Sequence, residues 1–125
     1  MSNNVNIYVT VKVEDKSSEL IAITEKFFDA FKNNNFDKIE KMMDRSNILA
    51  STYSMNIIKL LYETVHNDAD IKLKTIAVKK PNNGYYDVIV TYSNYYECAE
   101  YKLYMTFNSR NEIVEVRNTP DAIYY

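Results

Sequence analysis

The sequence predicts an α+β domain in which an N-terminal strand and three helical segments precede a curved antiparallel meander of four strands. In the first half of the chain, apolar residues recur three and four positions apart, which is the period of amphipathic helices. Beyond residue 70, apolar and polar residues alternate with a period of two, which is the period of half-buried strands. The chain has 125 residues, 46% of them hydrophobic, so we expect one domain over residues 1–125 with a single core.

The N-terminal strand is predicted over residues 5–13. Every odd position from Val5 to Val13 is aliphatic, whereas the even positions carry polar side chains or a tyrosine. Strict alternation of this kind is typical of a strand that buries one face.

The first helix is predicted to start near Asp15, Ser17 and Ser18, which are candidate N-caps, and its apolar stripe continues to Phe31. A run of three asparagines over residues 33–35 ends it, because asparagine disfavours a helix interior.

The second helix is shorter and runs from Phe36 to about Asp44. Ser46 and Asn47 can cap a third element, for which we expect a helix over residues 55–66. Residues 48–54 are compatible with a helix, a loop or a short strand.

The meander occupies the second half of the chain, with strands over residues 71–78, 85–92, 100–107 and 113–117. A change of phase in the first of these strands predicts a bulge near Thr75. Turns are expected over residues 81–84, 93–97 and 108–111, and Gly84, the only glycine, is placed where a positive φ is needed. Residues 118–125 are expected to form a tail.

Composition excludes several classes of protein. Fifteen basic and 17 acidic residues give a net charge of −2, which argues against a dedicated nucleic-acid-binding protein. No apolar run reaches the roughly 18 residues of a membrane span, and the start of the sequence lacks the pattern of a signal peptide, so we expect a cytoplasmic protein without membrane contact. Cys98 is the only cysteine, which fits a reducing compartment.

Residues 27–43 read FFDAFKNNNFDKIEKMM, and this segment resembles the opening of nuclear transport factor 2-like domains, a superfamily with the cystatin-like α+β fold. The resemblance extends over about residues 17–117. It implies a cone-shaped roll in which a curved sheet wraps around the first helix and the mouth of the cone forms a pocket. Many members dimerise through the outer face of the sheet. The predicted strand over residues 5–13 is not a standard part of that core, so it either extends a sheet edge or crosses to a partner subunit.

Isomerases and dehydratases of this superfamily need a carboxylate or histidine base and an oxyanion donor such as tyrosine. Tyr86, Tyr92 and Tyr101 share one face of the predicted sheet, where they either line the pocket or pack as core aromatics. No acidic residue shares this face, so His66 and Asp87 are the least unfavourable bases. His66 at the end of the third helix fits a capping role equally well.

The opposite sheet face carries a mixed surface of apolar and hydroxyl side chains: Tyr85, Ile89, Thr91, Tyr104 and Thr106. If helices cover only the other face, this surface is too apolar to leave in water, and tyrosine is favoured at protein interfaces. We therefore expect a homodimer or a contact with another protein here. A single histidine and a single cysteine provide no metal-ligand spacing, so we expect neither a metal nor another cofactor.

The function that these features favour is that of a small non-enzymatic domain that binds a partner protein or its own copy. Asparagine, lysine, isoleucine and 12 tyrosines dominate the composition, which indicates an AT-rich coding genome. A concrete version is an accessory or immunity-type protein of an AT-rich bacterium or mobile element. The alternative is a binder of a small apolar ligand, or an isomerase or dehydratase, that uses the cone pocket.

Overall fold

The computed structural model describes residues 16–65, 71–93 and 100–120, in which three helices pack on a four-stranded antiparallel sheet. This confirms the predicted α+β class. The elements are α1 (Ser17–Lys32), α2 (Phe36–Lys41), α3 (Ile48–Val65), β1 (Lys72–Val78), β2 (Tyr86–Ser93), β3 (Glu100–Phe107) and β4 (Ile113–Arg117). The strand order is β1-β2-β3-β4, as expected of a meander. The strand predicted over residues 5–13, most of the turn after β2 and the end of the tail lie outside the described residues.

The start of α1 differs from the prediction. Its N-cap is Lys16, without a side-chain capping bond, and the predicted caps Ser17 and Ser18 are the first two helical residues. Asp15, the other candidate, lies outside the described residues. Lys16 instead places its ammonium against the carbonyl of Ser109 in the β3–β4 turn, so a contact distant in sequence fixes the position of this terminus.

The three asparagines after α1 separate the two helices by three different means. Asn33 closes α1, with its side-chain amide donating to the Asp29 carbonyl at 2.8 Å. Asn34 adopts a positive φ of 60°, which asparagine tolerates better than most residues. Asn35 caps α2 by accepting a hydrogen bond from the Lys38 N–H. The run therefore ends one helix, as its composition predicted, and it also starts the next.

Helix α2 ends at Lys41, earlier than predicted, because the chain leaves it to join the sheet. Met43 forms a parallel bridge with Ile113 of β4. The Asp44 N–H donates to the Ile113 carbonyl at 2.8 Å, and the Ile113 N–H donates to the Met42 carbonyl at 3.0 Å. This segment therefore occupies one end of the β4 edge.

Residues 48–54, for which the sequence left three possibilities, are the first turns of α3. The side chain of Asn47 caps the helix by accepting the Ala50 N–H at 3.1 Å. The buried side chains of α3 include Ala50, Ser54 and Ile58, which recur every four residues and face β4. Ser54 accepts the backbone N–H of Val116 at 2.9 Å, so α3 covers the remainder of the β4 edge.

Two shifts of register shape the sheet. In the first, the pairing of β1 with β2 shifts between Leu73 and Thr75, which confirms the bulge predicted near Thr75. The second lies between β3 and β4, where Ile113 pairs with Phe107 and Glu115 pairs with Thr106. Because of this second shift, Ile113 and Val116 are both buried in the core although their positions have opposite parity.

In the turn between β1 and β2, Gly84 has the positive φ that the sequence predicted for it. Asn82 and Tyr85 exchange backbone hydrogen bonds of 2.8 and 3.0 Å, and the two central residues, Asn83 and Gly84, have φ values of 55° and 83°. Positive φ at both centres is the pattern of the two-residue hairpin turn whose twist matches that of the strands.

We expect Gly84→Ala to lower the free energy of unfolding by about 1 kcal/mol, because an L side chain is strained at this φ. A Cβ at this position would meet no atom within 4 Å, so the effect is one of backbone conformation alone. Urea denaturation measures it. The matched variant Asn83→Gly should change stability by less than about 0.5 kcal/mol, since glycine adopts positive φ freely. A neutral Gly84→Ala would contradict the assigned turn.

Candidate functional site

The tyrosine face predicted to line a pocket contains the centre of the core. Tyr92 is fully buried, and its ring lies 5.5 Å from Phe28 and 5.7 Å from Phe31, both on α1. Tyr101, its cross-strand partner on β3, stacks on it at 5.5 Å and is half-buried. Tyr92 therefore packs as a core aromatic, which is one of the two roles that the sequence left open for it.

Tyr86 lies apart from this pair. It is at the other end of β2, where it pairs with Phe107, and six residues of strand place it about 20 Å from Tyr92. The Lys16 ammonium lies over its half-buried ring, 5.6 Å from the ring centroid. The structure therefore brings together Tyr92 and Tyr101 but separates Tyr86 from both.

The Tyr92 hydroxyl has an unusual environment. Within the described residues it has no hydrogen-bond partner, and the same is true of the buried hydroxyls of Thr24 and Ser93. Burial, with a smaller contribution from neighbouring Tyr101, raises the pKa of Tyr92 above its ordinary value, so the phenol stays protonated at physiological pH. A neutral phenol in an apolar setting can donate one strong hydrogen bond.

Of the two candidate bases, Asp87 lies on the opposite sheet face from Tyr92, as the alternation predicted. It pairs with Thr106, and the Thr106 hydroxyl donates to its carboxylate at 2.8 Å. His66 lies outside the described residues. A base and an oxyanion donor are therefore not assembled among Asp87, Tyr92 and Tyr101.

The outer sheet face carries the five residues predicted as an interface. Four of them, Tyr85, Ile89, Thr91 and Tyr104, are half-buried, whereas Thr106 is fully buried. Their role as an interface stays a prediction.

Sequence reasoning did not identify the charged network on this face, which centres on Arg117. This residue is 3% exposed, and its Nη1 donates to Thr106 Oγ1 at 2.9 Å and to the fully buried Glu115 at 3.0 Å. Its other nitrogens donate to the carbonyls of Thr119 and Pro120 at 3.3 Å, which holds residues 118–120 against the strand. The alternation of Glu115 and Arg117 in β4 was a signal for a shared face, but it gave no indication of burial.

Clefts of the described structure lie around the helices. One of about 340 Å³ separates α2 from the outward side of α3 and is lined by Glu40, Met43, Arg45, Ile48, Ser51, Thr52, Met55, Asn56 and Lys59. Another of about 460 Å³ lies between α1 and β1. Its apolar part consists of Phe28, Ile71 and Leu73, and its charged residues are Glu25, Asp29, Lys32, Lys72 and Lys74. None of the three predicted pocket tyrosines lines either of these clefts.

Beside the first cleft, α3 exposes four large apolar side chains. Leu49 is 79% exposed, Ile48 73%, Leu60 56% and Tyr53 41%. Because a helix turns every 3.6 residues, Leu49, Tyr53 and Leu60 fall within about 40° of one another, in line with Asn56. We call Leu49, Tyr53, Asn56 and Leu60 the α3 stripe. The sequence already shows apolar residues on more than one face of this helix, and this pattern could have indicated an exposed apolar surface.

Comparison with known proteins adds no relationship: no family, no characterised sequence and no solved structure matches the chain. None of the described helices is both long and apolar enough to cross a membrane. In the ranges that the structure covers, no three His, Cys, Asp or Glu side chains are grouped so that they could hold a metal ion.

We expect Tyr92→Phe to raise the free energy of unfolding by about 1 kcal/mol, because it removes a buried hydroxyl that no described residue satisfies and keeps the ring contacts. Thermal or urea denaturation measures the change. The control Tyr53→Phe removes an exposed hydroxyl and should be neutral. A destabilised Tyr92→Phe would mean that the hydroxyl has a partner in solution.

We expect Arg117→Met to lower the free energy of unfolding by about 3 kcal/mol, because the fully buried Glu115 loses its compensating charge. Arg117→Met combined with Glu115→Met should be more stable than Arg117→Met alone, since no uncompensated carboxylate remains. Lys102→Met, a control at an exposed position of β3, should change stability by less than about 0.5 kcal/mol. Equal losses in the single and double variants would contradict the ion pair.

Proposed function

We propose that this chain is a small non-enzymatic domain that acts by binding a protein, either a partner or a second copy of itself. The observation that carries the proposal is the exposure of Ile48 and the α3 stripe. Single exposed apolar residues are ordinary on protein surfaces, but large neighbouring ones are typical of interaction sites. The α3 stripe lies on the side of the helix that faces away from the core, and Ile48 lies to one side of it, at the cleft.

The placement of the candidate catalytic groups supports a non-enzymatic role. Tyr92 is enclosed by phenylalanine rings, and Asp87 lies on the other face of the sheet, where Thr106 donates to it. Acid–base catalysis needs its groups within hydrogen-bond reach of one reacting molecule. Asp87 and the paired tyrosines do not meet that requirement.

The resemblance to nuclear transport factor 2-like domains is part of the proposal. The order of three helices followed by a four-stranded meander fits that superfamily. Many of its members dimerise through the outer sheet face. A second candidate surface is therefore the one formed by Tyr85, Ile89, Thr91 and Tyr104. An accessory or immunity-type role in an AT-rich bacterium or mobile element is the biological setting that we propose, and the composition supports it.

A binder of a small apolar ligand is the second candidate function, favoured by the Tyr92 hydroxyl without a described partner. Because the two clefts described above do not reach Tyr92, a ligand whose carbonyl oxygen accepts this hydrogen bond would have to displace the surrounding rings. Such a ligand would raise the melting temperature of the wild-type protein but not that of Tyr92→Phe.

Photo-crosslinking tests the proposal directly. We expect a photoreactive phenylalanine derivative at position 53 to give covalent adducts with a protein when the chain is expressed in the organism that encodes it. The same group at position 104 tests the outer sheet face, and at Lys26, an exposed position of α1, it serves as the control. Mass spectrometry identifies the adducts. If neither position 53 nor position 104 exceeds the Lys26 control, the protein-binding function is overturned.

A further inference from the structure

We propose that the α3 stripe is the contact between two copies of this chain, with the two α3 helices antiparallel about a two-fold axis. This inference rests on the proposed protein-binding function and specifies both its surface and its occupant. Three features support it: the spacing of the stripe, the charges at its two ends and the cleft beside it.

The spacing of the stripe is self-complementary. When the two-fold axis passes between the levels of Tyr53 and Asn56, Leu49 of one copy lies opposite Leu60 of the other, and Tyr53 lies opposite Asn56. Both exposed leucines thereby leave water, and the amide of Asn56 comes within reach of the tyrosine hydroxyl. In a parallel pair, Leu49 would instead lie opposite Leu49 of the other copy, and Leu60 opposite Leu60. The two Asn56 amides would then lie opposite each other.

The charges at the ends of the stripe match the same register. Arg45 precedes α3 and is exposed, and Glu63 is exposed near the end of the helix. In the antiparallel arrangement Arg45 of each copy lies near the level of Glu63 of the other, so the interface has opposite charges at both ends. A parallel arrangement would bring like charges together at each end, which is unfavourable. The antiparallel helix dipoles also favour the proposed orientation.

The cleft between α2 and α3 provides room for the second copy. Asn56 lines this cleft of about 340 Å³ together with Ile48 and Met55. Because Tyr53 of the second copy lies opposite Asn56, its ring can enter the cleft and contact their apolar side chains. Buried tyrosines of this kind are common anchors of protein interfaces.

The size of the contact indicates a weak dimer. Helix α3 has 18 residues and is about 27 Å long at 1.5 Å per residue. A pair of such helices buries less than the roughly 1,200–2,000 Å² of a stable interface, so we expect reversible association that depends on concentration.

Sedimentation velocity of the purified full chain over a series of concentrations tests the dimer. We expect concentration-dependent dimerisation of the wild type, and an at least about tenfold weaker association for Leu49→Glu and for Leu60→Glu. The matched control is Ala22→Glu, which adds the same charge at an exposed position of α1 and should dimerise like the wild type. Circular dichroism checks that each variant is folded.

Charge exchange tests the register. Arg45→Glu and Glu63→Arg should each weaken the dimer, because each places like charges at both ends of the stripe. The double variant Arg45→Glu/Glu63→Arg should restore association to near the wild-type level, and the restoration should fade at high salt. Failure of the double variant to recover would overturn the antiparallel register.

Two results would overturn the dimer as a whole: a wild-type monomer at the highest concentration, or a dimer that Leu49→Glu and Leu60→Glu leave intact. These failures can be separated from failure of the proposed function. Adducts between position 53 and a different protein would retain the binding function and overturn the second copy as occupant. Absence of adducts at both tested positions would overturn the binding function itself.

Discussion

The packing of α1 on the sheet through Tyr92 is the interaction on which the rest of the structure depends. Phe28 and Phe31 contact this buried ring from the helix, and Tyr101 stacks on it from the neighbouring strand. The contacts continue outward, since Tyr62 of α3 meets Phe31 edge-on at 6.0 Å. One aromatic cluster therefore joins α1, α3 and two strands. Because such rings each bury a large area and pair in preferred orientations, their packing fixes the helix layer relative to the sheet.

The contacts along the β4 edge determine how α3 is oriented on the sheet. Residues 42–44 occupy one end of the edge with backbone hydrogen bonds, and Ser54 satisfies the Val116 N–H farther along. An edge strand whose backbone groups are occupied is protected from pairing with other chains. The same hydrogen bond fixes which side of α3 faces the strand, so the α3 stripe must face away. The exposure of Leu49 and Leu60 is thus a consequence of the way this edge is covered.

Local patterns predicted most of the fold, and long-range pairing accounts for what they missed. Strand alternation, the bulge near Thr75 and the positive φ of Gly84 depend on neighbouring residues, so the sequence contained them. The assignment of the first turns of α3 stayed open because their large apolar residues, Ile48, Leu49 and Tyr53, are exposed and do not form a core-facing stripe. The register shift against β3 places Glu115 opposite Thr106 on the outer face, which no pattern within β4 reveals. The tyrosine face was recognised, but the separation of Tyr86 from Tyr92 follows from strand length rather than parity.

The two candidate surfaces differ in how their polar groups are arranged. On the outer sheet face, Thr106 and Glu115 are already buried, and Arg117 holds both of them together with residues 118–120. A partner there would have to dock around charges that are internally paired, so it would gain little from them. The α3 stripe consists of apolar and neutral residues. Arg45 and Glu63 lie near its ends, where they can steer association, and the exposed Lys59 lies next to Leu60. Burying leucine and tyrosine there removes apolar surface from water, which favours α3 over the outer sheet face as the proposed binding surface.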